Sequence, residues 1–212
     1  MSAPKPSLDR TDGVARCRWA GSDPLYRAYH DHEWGRPTAN DDRLFEKLVL
    51  EGFQSGLSWL TILRKRDRFR EVFEGFAAAR VARFGERDVM RLLGDAGIIR
   101  HRGKIEAAIA NASAVESVRK EYGSLAAYLW RFAPPPEQLR APRTLAAVPA
   151  TTPASAALAT DLRKRGFRFV GPTTVYAFMQ AMGFVNDHVV GCDSREACTA
   201  ARRAFRLPRP RA

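Results

Sequence analysis

"KRGFRFVGPTT", Lys164–Thr174, joins the helical stretch "SAALATDLRKRG" to the helical stretch "GPTTVYAFMQAMG". Its form is helix, glycine, apolar residues, glycine, helix. A hairpin of that form can aim backbone N–H groups at the start of the second helix toward a phosphate. The form occurs a second time in "GDAGIIRHRGK", Gly94–Lys104, ahead of the long "HRGKIEAAIANASAVESVRKEYG". Arg100, Arg102, Lys104, Arg165 and Arg168 surround the two turns. Helices that end at glycine are common, so each turn taken alone also admits a purely structural reading.

Outward from the hairpins the period stays helical. "DDRLFEKLVLEGFQSG" places Leu44, Phe45, Leu48 and Val49 on one stripe, with Asp41 or Asp42 as the expected cap. "LSWLTILRKRDRFREVF", "AAARVARF", "ERDVMRLLGDAG" and "SLAAYLWRF" read the same way. No stretch sustains the alternation of a strand, so the expected class is all-α. The three consecutive prolines of "RFAPPPEQLRAPRT" mark a linker. The expected organisation is a single helical domain in two lobes over 14–195, a disordered N-terminal extension over 1–13, and a basic tail over 196–212.

Formal net charge is +12, and most of the positive charge is Arg. Arg grips phosphate in a planar fork, so nucleic acid is the favoured partner; a solvated basic surface is the plainer alternative. No run approaches the roughly 20 apolar residues of a membrane span. The start "MSAPKPSLDR" lacks the apolar stretch of a secretory signal. A cytoplasmic monomer is therefore expected, and three cysteines do not suggest a disulfide framework.

"DPLYRAYHDHEWG", Asp23–Gly35, carries aromatic and nitrogen chemistry together. Asp23 can cap a helix, and Pro24 suits its first turn. His30 lies one turn beyond Tyr26. Cys17 precedes this stretch, and "HVVGC" sets His188 and Cys192 at H-x3-C spacing far down the chain. Two thiolates and two imidazoles would complete a tetrahedral zinc set with a structural role, joining the N- and C-terminal regions. Spacing alone leaves ordinary buried cysteines and histidines equally open. Glu51 shares a helix face with Leu44 and Leu48, where an unpaired charge is costly. It has a basic partner, caps something, awaits a cationic ligand, or reaches solvent at the helix end. Trp19, Tyr26, Tyr29, Trp34 and Trp59 fill a core or, beside a carboxylate, suit a flat cationic ring.

The strings "DPLYRAYHDHEWG", "LEGFQSGLSWLTILRKR", "DAGIIRHRGKI", "KRGFRFVGPTTVYAFMQAMG" and "VNDHVVGC" together resemble the bacterial DNA-3-methyladenine glycosylase I family, from about Cys17 to Cys192. The resemblance implies an all-helical helix-hairpin-helix glycosylase that excises 3-methyladenine from alkylated double-stranded DNA. It matches Cys17, His30, His188 and Cys192 to zinc ligands, and Glu51 to the catalytic, base-reading carboxylate. Trp19, Tyr26, Tyr29, Trp34 and Trp59 match the substrate pocket. Gly56 and Leu57 fall where the family wedges the duplex. Arg102, Lys104, Arg165, Gly166 and Gly171 fall on the hairpins that hold the DNA backbone. Asp187 is a second-tier residue, expected to orient His188. Phe53 departs from the polar residue expected beside the pocket, Cys198 has no matched role, and both ends run longer than the family pattern. The alternatives are a non-catalytic helical DNA-binding module with a structural zinc, and a zinc hydrolase, which would keep one metal position for water.

Overall fold

Most helix starts follow local chemistry. In the computed structural model, which describes residues 6–210, α1 (Pro24–His32) begins at Asp23, whose carboxylate accepts from the N–H groups of Leu25 and Tyr26. α2 (Asp41–Gln54) is capped by Asn40, which accepts from Arg43 N–H, rather than by Asp41 or Asp42. Asp41 instead caps another helix. α3 (Trp59–Val72), α4 (Ala78–Val81), α5 (Glu86–Gly94), α6 (Arg102–Tyr122) and α7 (Leu125–Leu129) follow. The Asp41 carboxylate accepts from Leu125 N–H at 3.0 Å and Ala126 N–H at 2.9 Å, and pairs with Arg119. α8 (Pro153–Lys164), α9 (Pro172–Ala181) and α10 (Ser194–Ala204) complete the set.

The described chain is mostly helical but not wholly so. β1 (Leu8–Asp9) pairs antiparallel with β2 (Arg16–Cys17). Two residues per strand are too few for alternation to show in a sequence. Residues 1–5 of the expected disordered extension, and 211–212, lie outside the described residues. Residues 6–13 differ from that expectation, since Asp12 ties Arg16 and Arg27 beside the ladder. The expected tail is likewise helical through Ala204. α10 packs against α1, Cys198 is fully buried, and Thr199 Oγ1 accepts from Asn186 Nδ2. In the expected linker, 133–150, only short 3-10 turns form.

The chain divides into two compact units. The first combines 6–37 with 133–150 and 179–206. Its small core gathers Cys17, Val189 and Cys192, packed by Leu8, Trp19 and Leu145. The second combines 38–132 with 151–178 and 207–210. There α6 packs against α2, α4, α5 and α7. Phenylalanines 53, 69, 73 and 76 form a chain of ring contacts beneath α2 and α3. No described helix is long and apolar enough to cross a membrane.

Candidate active site and metal centre

Glu51 lies in the last turns of α2 and is buried, at 5% exposure. Its carboxylate is paired: Lys47, one turn earlier on the same helix, places Nζ 2.7 Å from Glu51 Oε1. The same ammonium lies 3.1 Å from the ring centroid of Trp59, the first residue of α3. Carboxylate, ammonium and indole thus form one contact group in the second unit. Each half of it is a known attraction for cations, ion pairing on one side and the negative face of a π system on the other.

The loop between α2 and α3 has its own support. Gly56 adopts φ +81°, a conformation that glycine reaches without cost and that turns the chain outward. Leu57 follows with 42% of its surface exposed, an apolar side chain presented to solvent. Lys104 of α6, expected at DNA phosphate, is committed elsewhere. Its ammonium is buried and donates to Phe53 O at 2.8 Å and Ser55 O at 2.7 Å. These are orphan carbonyls at the C-terminal end of α2, where a cation also complements the helix dipole. Burial pushes the Lys104 pKa down, so the two carbonyls are what make its charge tolerable there.

The second hairpin is closed by local bonds and one long-range clamp. At Gly166, φ +88°, α8 ends in a Schellman turn: Gly166 N–H donates to Arg163 O and Phe167 N–H to Leu162 O. Asn111, buried in α6, accepts from Arg168 N–H at 2.7 Å and donates to Arg168 O at 3.1 Å. Phe169 holds a positive φ of 55° and sits over Gly52, where an added Cβ would stand 3.2 Å from Phe169 Cβ. The hairpin therefore rests on α2 one residue from Glu51. A Cβ at Gly171 would meet nothing within 4 Å, so packing within the chain does not require glycine there.

The two hairpin arginines differ in commitment. Arg102 is 44% exposed and paired with Glu86 and Glu106, contacts weak enough to exchange for a phosphate. Arg165 reaches Glu121, Asp161 and the Tyr122 hydroxyl, and lies over the rings of Tyr122 and Tyr128. Those partners hold Arg165 to its own unit and raise its pKa, the Glu121 hydrogen bond foremost.

In the first unit, Cys17, His30, His188 and Cys192 are all buried, and their donor atoms lie within 4.8 Å of one another. His30 Nε2 and His188 Nδ1 are 3.2 Å apart. Three of the four nitrogen–sulfur separations are 3.4, 3.6 and 3.7 Å. Zinc bonds of about 2.3 Å to sulfur and about 2.05 Å to nitrogen, at tetrahedral angles, require N···N near 3.3 Å and N···S near 3.6 Å. The donor set therefore fits a tetrahedral metal ion. The Cys17 thiol is pushed up by its hydrogen bond to Cys192 and by burial, and Cys192 is pushed down by the Cys17 thiol, with His188 and His30 adding to it. A cation at the centre would take both as thiolates.

The outer atoms orient this set. His30 Nδ1 lies 2.8 Å from Asp31 Oδ1, and Arg16 Nε in turn donates to Asp31. Burial raises the Asp31 pKa, but the hydrogen bonds from His30 and Arg16 outweigh it and keep the carboxyl below its ordinary value. His188 Nε2 faces the Trp34 carbonyl at 3.3 Å. Asp187, expected to orient His188, accepts from Gln180 Nε2 at 2.8 Å through its carboxylate.

Comparison with known proteins decides the family. The family model described as methyladenine glycosylase matches residues 19–196. The chain belongs to the methyladenine glycosylase family. It is 51% identical to DNA-3-methyladenine glycosylase 1 of Escherichia coli (strain K12) over 84% of this chain and 96% of that one. A crystal structure of 3-methyladenine DNA glycosylase I superposes with a TM-score of 0.80 at 50% identity, covering 84% of this chain and 98% of that chain. A Staphylococcus aureus structure described as the structural basis of 3-methyladenine recognition gives a TM-score of 0.80 at 34% identity, over 85% and 96%.

Within this methyladenine glycosylase the expected aromatic set divides. Trp59 belongs to the Glu51 group. Trp19 and Trp34 pack on the metal donors, Trp19 5.0 Å from His30 and Trp34 4.6 Å from His188 between ring centroids, and Tyr26 adjoins Trp19 at 5.2 Å. Tyr29 is buried in α1 and stacks toward Tyr26. Phe53 turns into the phenylalanine core, 4.8 Å from Phe69, as well as lining a small cleft with Lys104 and Asn111. Cys198 Sγ contacts the Trp34 carbonyl. Sequence reasoning missed Lys47, Asn111 and Asp31. The i,i+4 spacing of Lys47 and Glu51 was a usable signal, as was the adjacency of Asp31 to His30. Asn111 offered only its polarity on an alanine-rich face.

Proposed function

We propose that this chain is a monofunctional DNA repair enzyme that excises 3-methyladenine from alkylated double-stranded DNA by hydrolysing the N-glycosidic bond. The observation that carries the reading is the buried pairing of the Glu51 carboxylate with the Trp59 face around a cation. 3-Methyladenine still joined to deoxyribose is itself a flat cation. The relatives' names supply the substrate, and the group supplies the chemistry that would recognise it.

Chemically the task is light. The base leaves as a neutral molecule when the bond from its ring nitrogen to C1′ breaks and the bonding pair neutralises its charge. Water delivers hydroxide to C1′ and loses a proton to solvent. No general acid is needed, so the pair of carboxylates usual in sugar hydrolysis is not required. The demand falls on extrusion and recognition. Flipping costs a few kcal/mol, less for a damaged base. Leu57 would fill the vacated position in the stack, and the Gly56 turn presents it. Trp59 would stack on the base, worth about 1–3 kcal/mol. Glu51 would accept hydrogen bonds from the adenine edge and favour the cation over neutral adenine. Tyr26 and Tyr29 are further candidates for the base, whereas the packing of Trp19 and Trp34 favours a supporting role. The backbone at Gly166 and Gly171, together with Arg102, would hold DNA phosphates. Lys104 and Arg165 are positioning residues for the loop and hairpin.

Cys17, His30, His188 and Cys192 would hold a structural zinc, which cross-links the chain's early and late segments within the first unit and leaves no position for a reacting water.

The test is Glu51→Gln assayed on methylated DNA with chromatographic identification of the released base. Excision is expected to fall by at least about 10²-fold, the scale of losing an electrostatic contact to a developing or departing charge, with an unchanged circular dichroism spectrum. Undiminished 3-methyladenine release by this variant would overturn the assignment. A DNA-binding module would release nothing even as wild type, and a zinc hydrolase would stop on chelation at a temperature where the fold survives.

A further inference from the structure

The two groups that would recognise a cationic base already hold a cation that belongs to the chain. Lys47 Nζ is in contact with Glu51 Oε1 at 2.7 Å and with the Trp59 ring at 3.1 Å from its centroid. An ammonium at that height lies within the roughly 3.5–4.0 Å that a stacked ring needs above the same face. Base and ammonium therefore exclude one another from that face. They also compete for one carboxylate, since two cations sharing Glu51 repel across a buried, weakly screening site.

We propose that Lys47 is a displaceable resident cation, a specificity-determining residue that yields the Glu51–Trp59 seat to the charged base and reoccupies it once the base is neutral. The inference rests on the glycosylase reading above. Before cleavage the incoming base carries the same charge as Lys47 and adds ring area, so it can replace the ammonium. Breaking the glycosidic bond removes that charge. The neutral product then opposes Lys47 with stacking and hydrogen bonds alone, and Lys47 returns and expels it. Neutral adenine faces the same competition from the outset, so the lysine rejects undamaged bases as well as clearing product. Lys47 and Glu51 are one turn apart on α2, and a lysine stem has several rotatable bonds with which to swing its head aside.

The experiment uses full-length protein, free 3-methyladenine as probe, and methylated DNA as substrate. Lys47→Met removes the charge and keeps an unbranched side chain. It is expected to bind free 3-methyladenine about tenfold more tightly, the order of a desolvated cation–π contact no longer to be displaced. Product inhibition should strengthen by the same factor. Multiple-turnover kcat should fall by a larger factor than single-turnover excision. Unchanged or weaker probe binding by Lys47→Met, or equal losses in single and multiple turnover, would overturn the proposal and leave Lys47 as a simple support for Glu51. An independent measurement needs no variant. The Lys47 side-chain NMR signals, shifted upfield by the Trp59 ring current, should move to ordinary positions when wild-type protein is saturated with 3-methyladenine, and signals that stay upfield would overturn the displacement. Failure of wild-type protein to release 3-methyladenine from methylated DNA would instead refute the parent reading, and the two failures are distinct.

Discussion

Replacing Lys104 with Met separates two roles that its place beside the first hairpin would otherwise confuse. In the structure the Lys104 ammonium satisfies Phe53 O and Ser55 O, at 2.8 and 2.7 Å, where α2 ends and the Leu57 loop begins. Hydrogen bonds to charged donors contribute about 1.5–3 kcal/mol each. Ordering the long stem offsets on the order of 2 kcal/mol. The net loss expected for Lys104→Met is therefore about 1–4 kcal/mol. For a chain of this size each kcal/mol moves Tm by roughly 2–4 °C, so a mid-range loss lowers Tm by about 5–10 °C. Scanning calorimetry measures the shift, and single-turnover excision should fall with it because the loop carrying Gly56 and Leu57 loses its anchor. DNA binding measured against salt supplies the control. A lysine on a phosphate would contribute about 0.9 to the slope of log K against log salt. An unchanged Tm with a slope smaller by that amount would refute the buried role and return Lys104 to the DNA surface.

Two further outcomes follow from the same geometry. Elemental analysis of purified protein is expected to find one zinc per chain, and Cys192→Ser should lose it and unfold at lower temperature; a metal-free protein that unfolds cooperatively at the wild-type Tm would refute the zinc assignment. Leu57→Ala should slow excision from duplex DNA about tenfold or more while leaving free 3-methyladenine binding within twofold, since an exposed side chain at a loop tip can matter to the duplex but not to a base already out of it; equal losses in both measurements would count against the wedge.

How much of this was legible in advance depends on the range of the interaction. Helix positions followed from capping residues, glycine stops and apolar period, all of which act within a few residues. That is why α2, α3, α6, α8 and α9 fall where the sequence places them. The ends of the chain failed by the same standard. The ladder Leu8–Asp9 with Arg16–Cys17 and helix α10 are held by contacts to distant segments, such as Asn186 to Thr199 and Asp193 to Ala15. A polar, proline-bearing or basic stretch carries no mark of them.

By itself the amino-acid sequence determined the helical class, the hairpins, the residue types able to bind a metal, and a carboxylate on an apolar stripe, because period, cap chemistry and side-chain chemistry are properties of short segments. Tertiary structure alone decided what each charge is for. It brought Cys17 to Cys192, aimed Lys104 at carbonyls far back in the chain, sent Asp41 to cap α7 rather than its own helix, and laid Lys47 on Trp59. A charged side chain has no fixed partner until folding removes water from around it, and the partner it then takes is whichever counter-charge or dipole the packing of remote segments has placed within reach.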